Sequence, residues 1–210
     1  MLDEPYYGSA APLVPPNPTY AKTVRAAKGC QACHLWRIGT QTVFGEGPTP
    51  ANLMLVGEQP GDKEDLAGHP FVGPAGRILD EALEAAGLKR EEVYLTNAVK
   101  HFKWVPKGER RLHQKPNRGE IQACHPWLEA ELEIVKPKAL VLLGATAAQA
   151  ILGPKFKLTQ NRGKFIESDL AEFLIPTLHP SAVLRVPDRR AREEALEGLI
   201  SDLRLVASKL

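Results

Sequence analysis

Four short apolar runs, at residues 53–56, 93–96, 139–143 and 173–178, are separated by stretches with helical spacing. That alternation restricts the chain more than any other feature in it. Strands alternating with helices favour a parallel sheet with helices packed on both faces. The predicted fold is α/β: a three-layer α/β/α sandwich with a central four-stranded parallel sheet. Each run ends in a glycine or a polar group. Gly57-Glu58-Gln59 follows the first, Asn97 the second, Gly144 the third and His179-Pro180-Ser181 the fourth. In a parallel sheet these residues share one edge, and open α/β proteins bind ligands outside the carboxyl ends of their strands. Pro176, inside the fourth run, predicts an edge position or a short strand.

Between the runs, Ala75, Ile78, Leu79, Ala82, Leu83 and Ala86 recur at helical spacing behind Pro74, and Gly87 stops them. Asn117 and Glu120 form an N-x-x-E capping pattern for a helix to about residue 135, closed by Pro137. Shorter helices are expected from Thr19, as N-cap, to Lys28 and from Gly144 to residue 152, with a final one over 188–208. Residues 62–73 and the basic segment 100–118 read as loops, and 157–167 as ambiguous, with a minor strand pair as one reading. Residues 1–18 hold five prolines and read as an extended N-terminal arm, surface-bound or mobile. Residues 19–210 read as a single domain.

At 210 residues and 43% hydrophobic content the chain builds a full core without staples. A net charge of +2 means that any basic surface must be local. Asp3 and Glu4 stand where a signal peptide would be basic, and no apolar run approaches bilayer length. The expectation is a soluble, cytoplasmic monomer with no membrane partner. Of three cysteines, two form Cys30-x-x-Cys33, which in a reducing compartment favours metal or redox chemistry over disulfides. Cys30, Cys33, His101 and Cys124 are four candidate ligands, for zinc or for an iron–sulfur cluster, and spacing does not choose between them. His34 and His125 each adjoin a cysteine and are alternatives to His101. Three plain core cysteines are the bland reading.

The segment 100–118 holds seven basic residues (Lys100, Lys103, Lys107, Arg110, Arg111, Lys115, Arg118) against one acid, Glu109, with Phe102 and Trp104 interleaved. Cations with aromatics suit contact with phosphates and bases, although charge runs are usually just solvated. The segment also carries His113. A histidine among cations is favoured in its neutral form, and a neutral imidazole can act as a nucleophile.

The stretches 57–65 (Gly57-Glu58-Gln59-Pro60-Gly61-Asp62 and onward), 70–76 around Phe71, 96–103 around Asn97, and His179-Pro180-Ser181 together resemble the iron–sulfur uracil-DNA glycosylases. The similarity runs from about Cys30 to the C-terminus. It is greatest to the UdgX type, which captures uracil-containing DNA covalently. The ordinary type reads Gly-Glu-Ala-Pro-Gly where Gln59 stands here. The UdgX type carries an extra Lys-Arg-Arg-Ile-His loop, matched here by Glu109-Arg110-Arg111-Leu112-His113. Glu109 in place of lysine removes a cation that would help to anchor the loop.

The resemblance implies roles. Phe71 stacks on a flipped uracil, Asn97 reads its O4 and N3–H edge, and His179 donates to O2 as charge builds there. Glu58 stabilises the cationic sugar and takes the proton of His113, which bonds to the sugar in place of water. Gln59 orients the uracil or the loop. Arg110 and Arg111 fix the loop or contact phosphate, with Asp62 as a partner for one of them. Ser181 and Arg185 lie beside the substrate, and Arg185 reaches toward a DNA phosphate. A 4Fe-4S cluster held by Cys30, Cys33, His101 and Cys124 is the implied cofactor, with a structural role. The implied partners are uracil and uracil-containing DNA, single-stranded or also double-stranded. Two alternatives stand beside this reading: a turnover glycosylase that leaves a free abasic site, and a non-catalytic iron–sulfur nucleic-acid-binding module.

Overall fold

The computed structural model describes residues 6–210; the first five residues of the arm, Pro5 among them, lie outside the described residues. Strands β1 (Leu53–Gly57), β2 (Val93–Asn97), β5 (Ala139–Leu143) and β6 (Phe173–Thr177) form one parallel sheet in the order β2-β1-β5-β6. The predicted sandwich is the observed one. Alternation within the strands builds two cores. Leu53 and Leu55 face one side with Leu79 and Leu83 of α3 (Pro74–Ala85) and Leu199 and Leu203 of α8 (Arg189–Ala207). Met54 and Val56 face the other with Leu128 of α4 (Arg118–Val135) and Ala147 of α5 (Gly144–Leu152). Burial on both faces is why the strands read as unbroken apolar runs. Pro176 sits in β6 at the sheet edge, where a missing N–H is tolerated.

The register places Gly57 opposite Asn97 and Leu143 opposite Thr177. The carboxyl ends of all four strands therefore come level. β1 sends the chain to β2 on one side, while β5 lies on its other side. The crevice between the ends of β1 and β5 is the switch point where such sheets bind ligands.

Four expectations change. Residues 62–73 are not all loop, because Asp62–Ala67 form a helix, α2, ended by Gly68 at φ +80. The basic segment is not a loop either: β3 (Trp104–Lys107) and β4 (Arg110–His113) make an antiparallel hairpin turned at Gly108 and Glu109. The ambiguous stretch holds a short helix, α6 (Leu158–Asn161), and a single bridge between Ile166 and Leu174 rather than a strand pair. A further short helix, α7 (Pro180–Arg185), precedes α8. Thr19 sits at the N-cap of α1 (Tyr20–Ala27), but its side chain makes no capping bond.

The described part of the arm is fastened down. Gly8 N–H donates to Ala32 O at 2.7 Å, His34 N–H to Tyr6 O at 3.3 Å, and Ala10 N–H to Ala123 O at 2.9 Å. These bonds lay residues 6–10 across the Cys30-x-x-Cys33 segment and α4.

Candidate active site

Gly57 ends β1 because nothing larger fits. A Cβ there would lie 2.3 Å from Asn97 Oδ1 and 2.7 Å from Phe71 Cζ. Asn97 is buried, yet its side chain makes no hydrogen bond to the described residues, so its amide donor and acceptor are open to a ligand. Gly144 opens α5 at φ +89, and a Cβ on it would lie 2.9 Å from that of His179. Asn97, Phe71 and His179 thus crowd around two glycines at the strand ends. The Phe71 and His179 rings stack at 6.1 Å and 29°.

His179 caps α7. Its Nδ1 accepts from Ser181 N–H at 3.1 Å and lies 2.8 Å from Ser181 Oγ. With that lone pair used, the neutral ring carries its proton on Nε2. Ser181 therefore holds His179 in place. Burial pushes the His179 pKa down to about 4 from an ordinary 6.5. The unfolded chain takes up a proton between those values and the folded one does not. Stability is thus lost as pH falls from about 6.5 to about 4, by about 3 kcal/mol from this residue. Urea unfolding at pH 7 and pH 4.5 checks this: His179→Gln is expected to flatten the decline, and an unchanged slope counts against it.

Glu58, just past β1, lies across the switch point from α5. Thr146 Oγ1 donates a short hydrogen bond to its Oε2, and Nε2 of His113, at the end of β4, stands 3.1 Å from its Oε1. Burial opposes ionisation of Glu58, but the hydrogen bonds from His113 and Thr146 outweigh it and hold the carboxyl below its ordinary value. Thr146 was not legible in the sequence; its only signal is its place in the first turn of the helix after Gly144.

The hairpin that carries His113 is anchored at its base and along one face. Gln59 Nε2 donates to Lys103 O at 3.2 Å and to Gln114 O at 3.1 Å, and its Oε1 accepts from Lys103 N–H at 3.1 Å. Of the two roles the sequence allowed Gln59, these bonds match the loop and not the uracil. Arg111 is also spent on anchoring. It bonds Asp62 and Asp65 of α2 at 2.6 Å each, and lies over the rings of Phe102 and Trp104. Asp62 is thus the partner of Arg111. Trp104 Nε1 donates to Ile38 O at 2.7 Å.

Not all seven cations face water. Lys100 is buried, and its ammonium bonds Glu131, Thr96 Oγ1 and Asn97 O. Lys103 pairs with the buried Glu120 at 2.9 Å. Lys107, Arg110, Lys115 and Arg118 are exposed, as is Arg185 at the end of α7. Glu109 is exposed in the hairpin turn, away from the anchors, so its departure from lysine leaves them untouched.

Cys30, Cys33 and Cys124 are buried in one core with Phe44 and Trp127, and none is in a disulfide. Trp127 Nε1 points at Cys30 Sγ and Lys100 N–H at Cys124 Sγ, each at 3.2 Å. Burial and the neighbouring cysteines push Cys33 up to about 11 and Cys124 up to about 12. Three thiolates held together here need a compensating cation. His101, lowered to about 4 by burial, lies with Nε2 3.0 Å from Thr42 Oγ1. The Thr42 hydroxyl already donates its one proton to Ala27 O at 2.9 Å, so it must accept from His101 Nε2–H. That leaves His101 Nδ1 as a bare lone pair, the state of a ligating histidine. His34 pairs instead with Glu120 at 3.2 Å and His125 with Glu129 at 3.6 Å. Among the described residues no three His, Cys, Asp or Glu side chains close around a single ion's position. A cubane does not require that, because each ligand binds a different iron.

The family model for the uracil DNA glycosylase superfamily matches residues 44–204. A type-4 uracil-DNA glycosylase of Thermotoga maritima is 40% identical over 173 residues, covering 82% of this chain and 86% of that protein. The type-4 enzyme of Sulfurisphaera tokodaii is 39% identical, covering 77% and 74%. A type-5 enzyme of Thermus thermophilus is 28% identical, covering 89% and 96%. None of these three is named as a UdgX-type protein. No helix among the described residues is long and apolar enough to cross a membrane. The matched model takes in β1, β2, β5 and β6 and every residue gathered at their carboxyl ends, and the chain belongs to the uracil-DNA glycosylase superfamily.

Proposed function

We propose that this chain is a uracil-DNA glycosylase that excises uracil and ends covalently joined to the sugar through His113. The observation that carries the reading is the 3.1 Å approach of His113 Nε2 to Glu58 Oε1 at the carboxyl end of β1. The uracil nucleotide first leaves the stack and enters the pocket, as enzymes that act on bases require. Phe71 stacks on the ring and Asn97 pairs with its O4 and N3–H edge, which rejects cytosine. The C1′–N1 bond breaks, its electron pair leaves with uracil, and His179 Nε2–H donates to O2 where that charge collects. Ionised Glu58 stabilises the oxocarbenium-like sugar. His113 gives its Nε2 proton to Glu58, and the freed Nε2 lone pair forms the bond to C1′. The departed uracil anion takes up a proton in turn, so atoms and charge balance. An N-alkyl imidazole is a poor leaving group, and the reaction stops after one turnover. Lys107 and Arg110, exposed on the same hairpin, face the DNA backbone.

The type-4 relatives favour a second reading, in which water adds to the sugar and the enzyme turns over. A uracil-containing oligonucleotide run on a denaturing gel separates the two. The first reading expects a shifted protein–DNA band of one equivalent; the second expects many uracils released per protein and no band. Absence of both would point to a nucleic-acid-binding module without excision.

The cofactor proposed for Cys30, Cys33, His101 and Cys124 is a 4Fe-4S cluster, fitted by three clustered thiols and a histidine with a free Nδ1. When bound it would serve as a structural pin among the arm, the Cys30-x-x-Cys33 segment and α4. Purified protein is expected to be brown, with about four irons and four sulfides per chain. Cys124→Ser is expected to lose the colour and most of the iron. Colourless wild-type protein from anaerobic preparation would rule the cluster out.

A further inference from the structure

We infer that Arg90, in the short turn before β2, is a positioning residue for the uracil-stacking ring. The inference rests on the reading of Phe71 given above. Phe71 has φ +55, a left-handed conformation that bulky residues rarely adopt. A residue held there persists only when its surroundings impose it, and such residues cluster at ligand clamps. Two features impose it here. The first turn of α3 presses on the Phe71 carbonyl, so closely that a Cβ on Gly76 would lie 1.8 Å from that oxygen. From the other side, Arg90 Nη2 donates to Phe71 O at 3.1 Å and to Pro70 O at 3.3 Å. Arg90 is itself held by a short ion pair from Nη1 to Asp80 on α3.

Asp80, Arg90 and the two carbonyls therefore make one chain of contacts, running from α3 through the short turn before β2 to the backbone of the stacking residue. A planar fork with several donors suits that task, because one guanidinium bonds a carboxylate and two carbonyls together. Without the fork one of the two constraints on residue 71 is lost, and its backbone relaxes toward ordinary φ, which swings its ring away from His179.

A double-mutant cycle tests this, read as single-turnover uracil excision and as inhibition by free uracil. Arg90→Met is expected to slow excision about tenfold and to weaken uracil inhibition by a similar factor, with Arg90→Lys recovering part of both. In a Phe71→Ala background, Arg90→Met is expected to change either quantity less than about twofold, because the group it acts through is gone. Asp80→Asn, milder and on the exposed side of α3, is expected to give a smaller loss that also vanishes in that background. If Phe71→Ala slows excision and Arg90→Met slows it again by its full factor, Arg90 acts elsewhere and the inference is overturned. If Phe71→Ala alone leaves excision and uracil inhibition unchanged, the stacking reading itself fails and takes the inference with it.

Discussion

With His113→Ser the denaturant-resistant protein–DNA band is expected to disappear entirely, while uracil release continues. In the proposed reaction the two outcomes separate, because the residues assigned to breaking the glycosidic bond are not the one assigned to capturing the sugar. Asn97 and His179 stand at the strand ends, held by the sheet register and by Ser181, and Phe71 reaches them from the segment before α3, held by Arg90. His113 comes from outside the sheet, on a hairpin whose clamps are Gln59 and Arg111. Its side chain is 47% exposed, so serine removes no core packing, and global stability is expected to stay within about 0.5 kcal/mol. The space opened beside C1′ admits water, which adds to the sugar in place of imidazole. Released uracil should then exceed one per protein, while the adduct falls at least about a hundredfold, to the gel background. A band that persists in the variant takes the role away from His113. Loss of band and uracil together would place the histidine in bond cleavage rather than capture.

The sheet was legible because its strands are buried on both faces: residues 53–56 and 139–143 leave the sequence little choice but a central strand. Their register then brings Glu58, Asn97, Gly144 and His179 to one edge without further information. The hairpin was not legible in the same way. Its strands have four residues each, and apart from Trp104 and Arg111 they are exposed, so no apolar run marks them. What signal there was lay in Val105 and Leu112 flanking Lys107-Gly108, a cross-strand pair visible only once a turn is assumed. α2 was hidden for the same reason, being six residues rich in charge.

Charge hid the division of labour as well. Lys100, Lys103 and Arg111 count as cations in the sequence, yet Glu131, Glu120, Asp62 and Asp65 neutralise them from elements far along the chain. A basic loop read for phosphate contact is in part a set of internal fasteners. Gln59 shows the same thing with a neutral group, since its partners lie 44 and 55 residues away. Local sequence records which residue types are available; only the fold decides which of them are already spent.

Glu58→Gln is expected to cost more excision than any other single change at the strand ends. Glutamine keeps the shape and one acceptor oxygen but carries no charge. It can neither balance an oxocarbenium ion nor take the proton of His113. Loss of one preorganised electrostatic group typically lowers a rate about 10²–10³-fold, and the adduct should fall in step because capture follows cleavage. Binding of DNA with a non-cleavable uracil analogue should hold, since the side chain reads no base edge. A fall of less than about tenfold would remove the carboxylate from the chemistry. The carboxylate also links this result to the first. Burial works against its charge, and the hydrogen bonds from His113 and Thr146 reverse that. His113→Ser removes one of those bonds, so the carboxyl of the turnover variant should rise. Its uracil release should therefore fail at a higher pH than wild-type excision does. An acid limb in the same place for both proteins would mean that the contact between His113 and Glu58 does not control the charge on which the reaction runs.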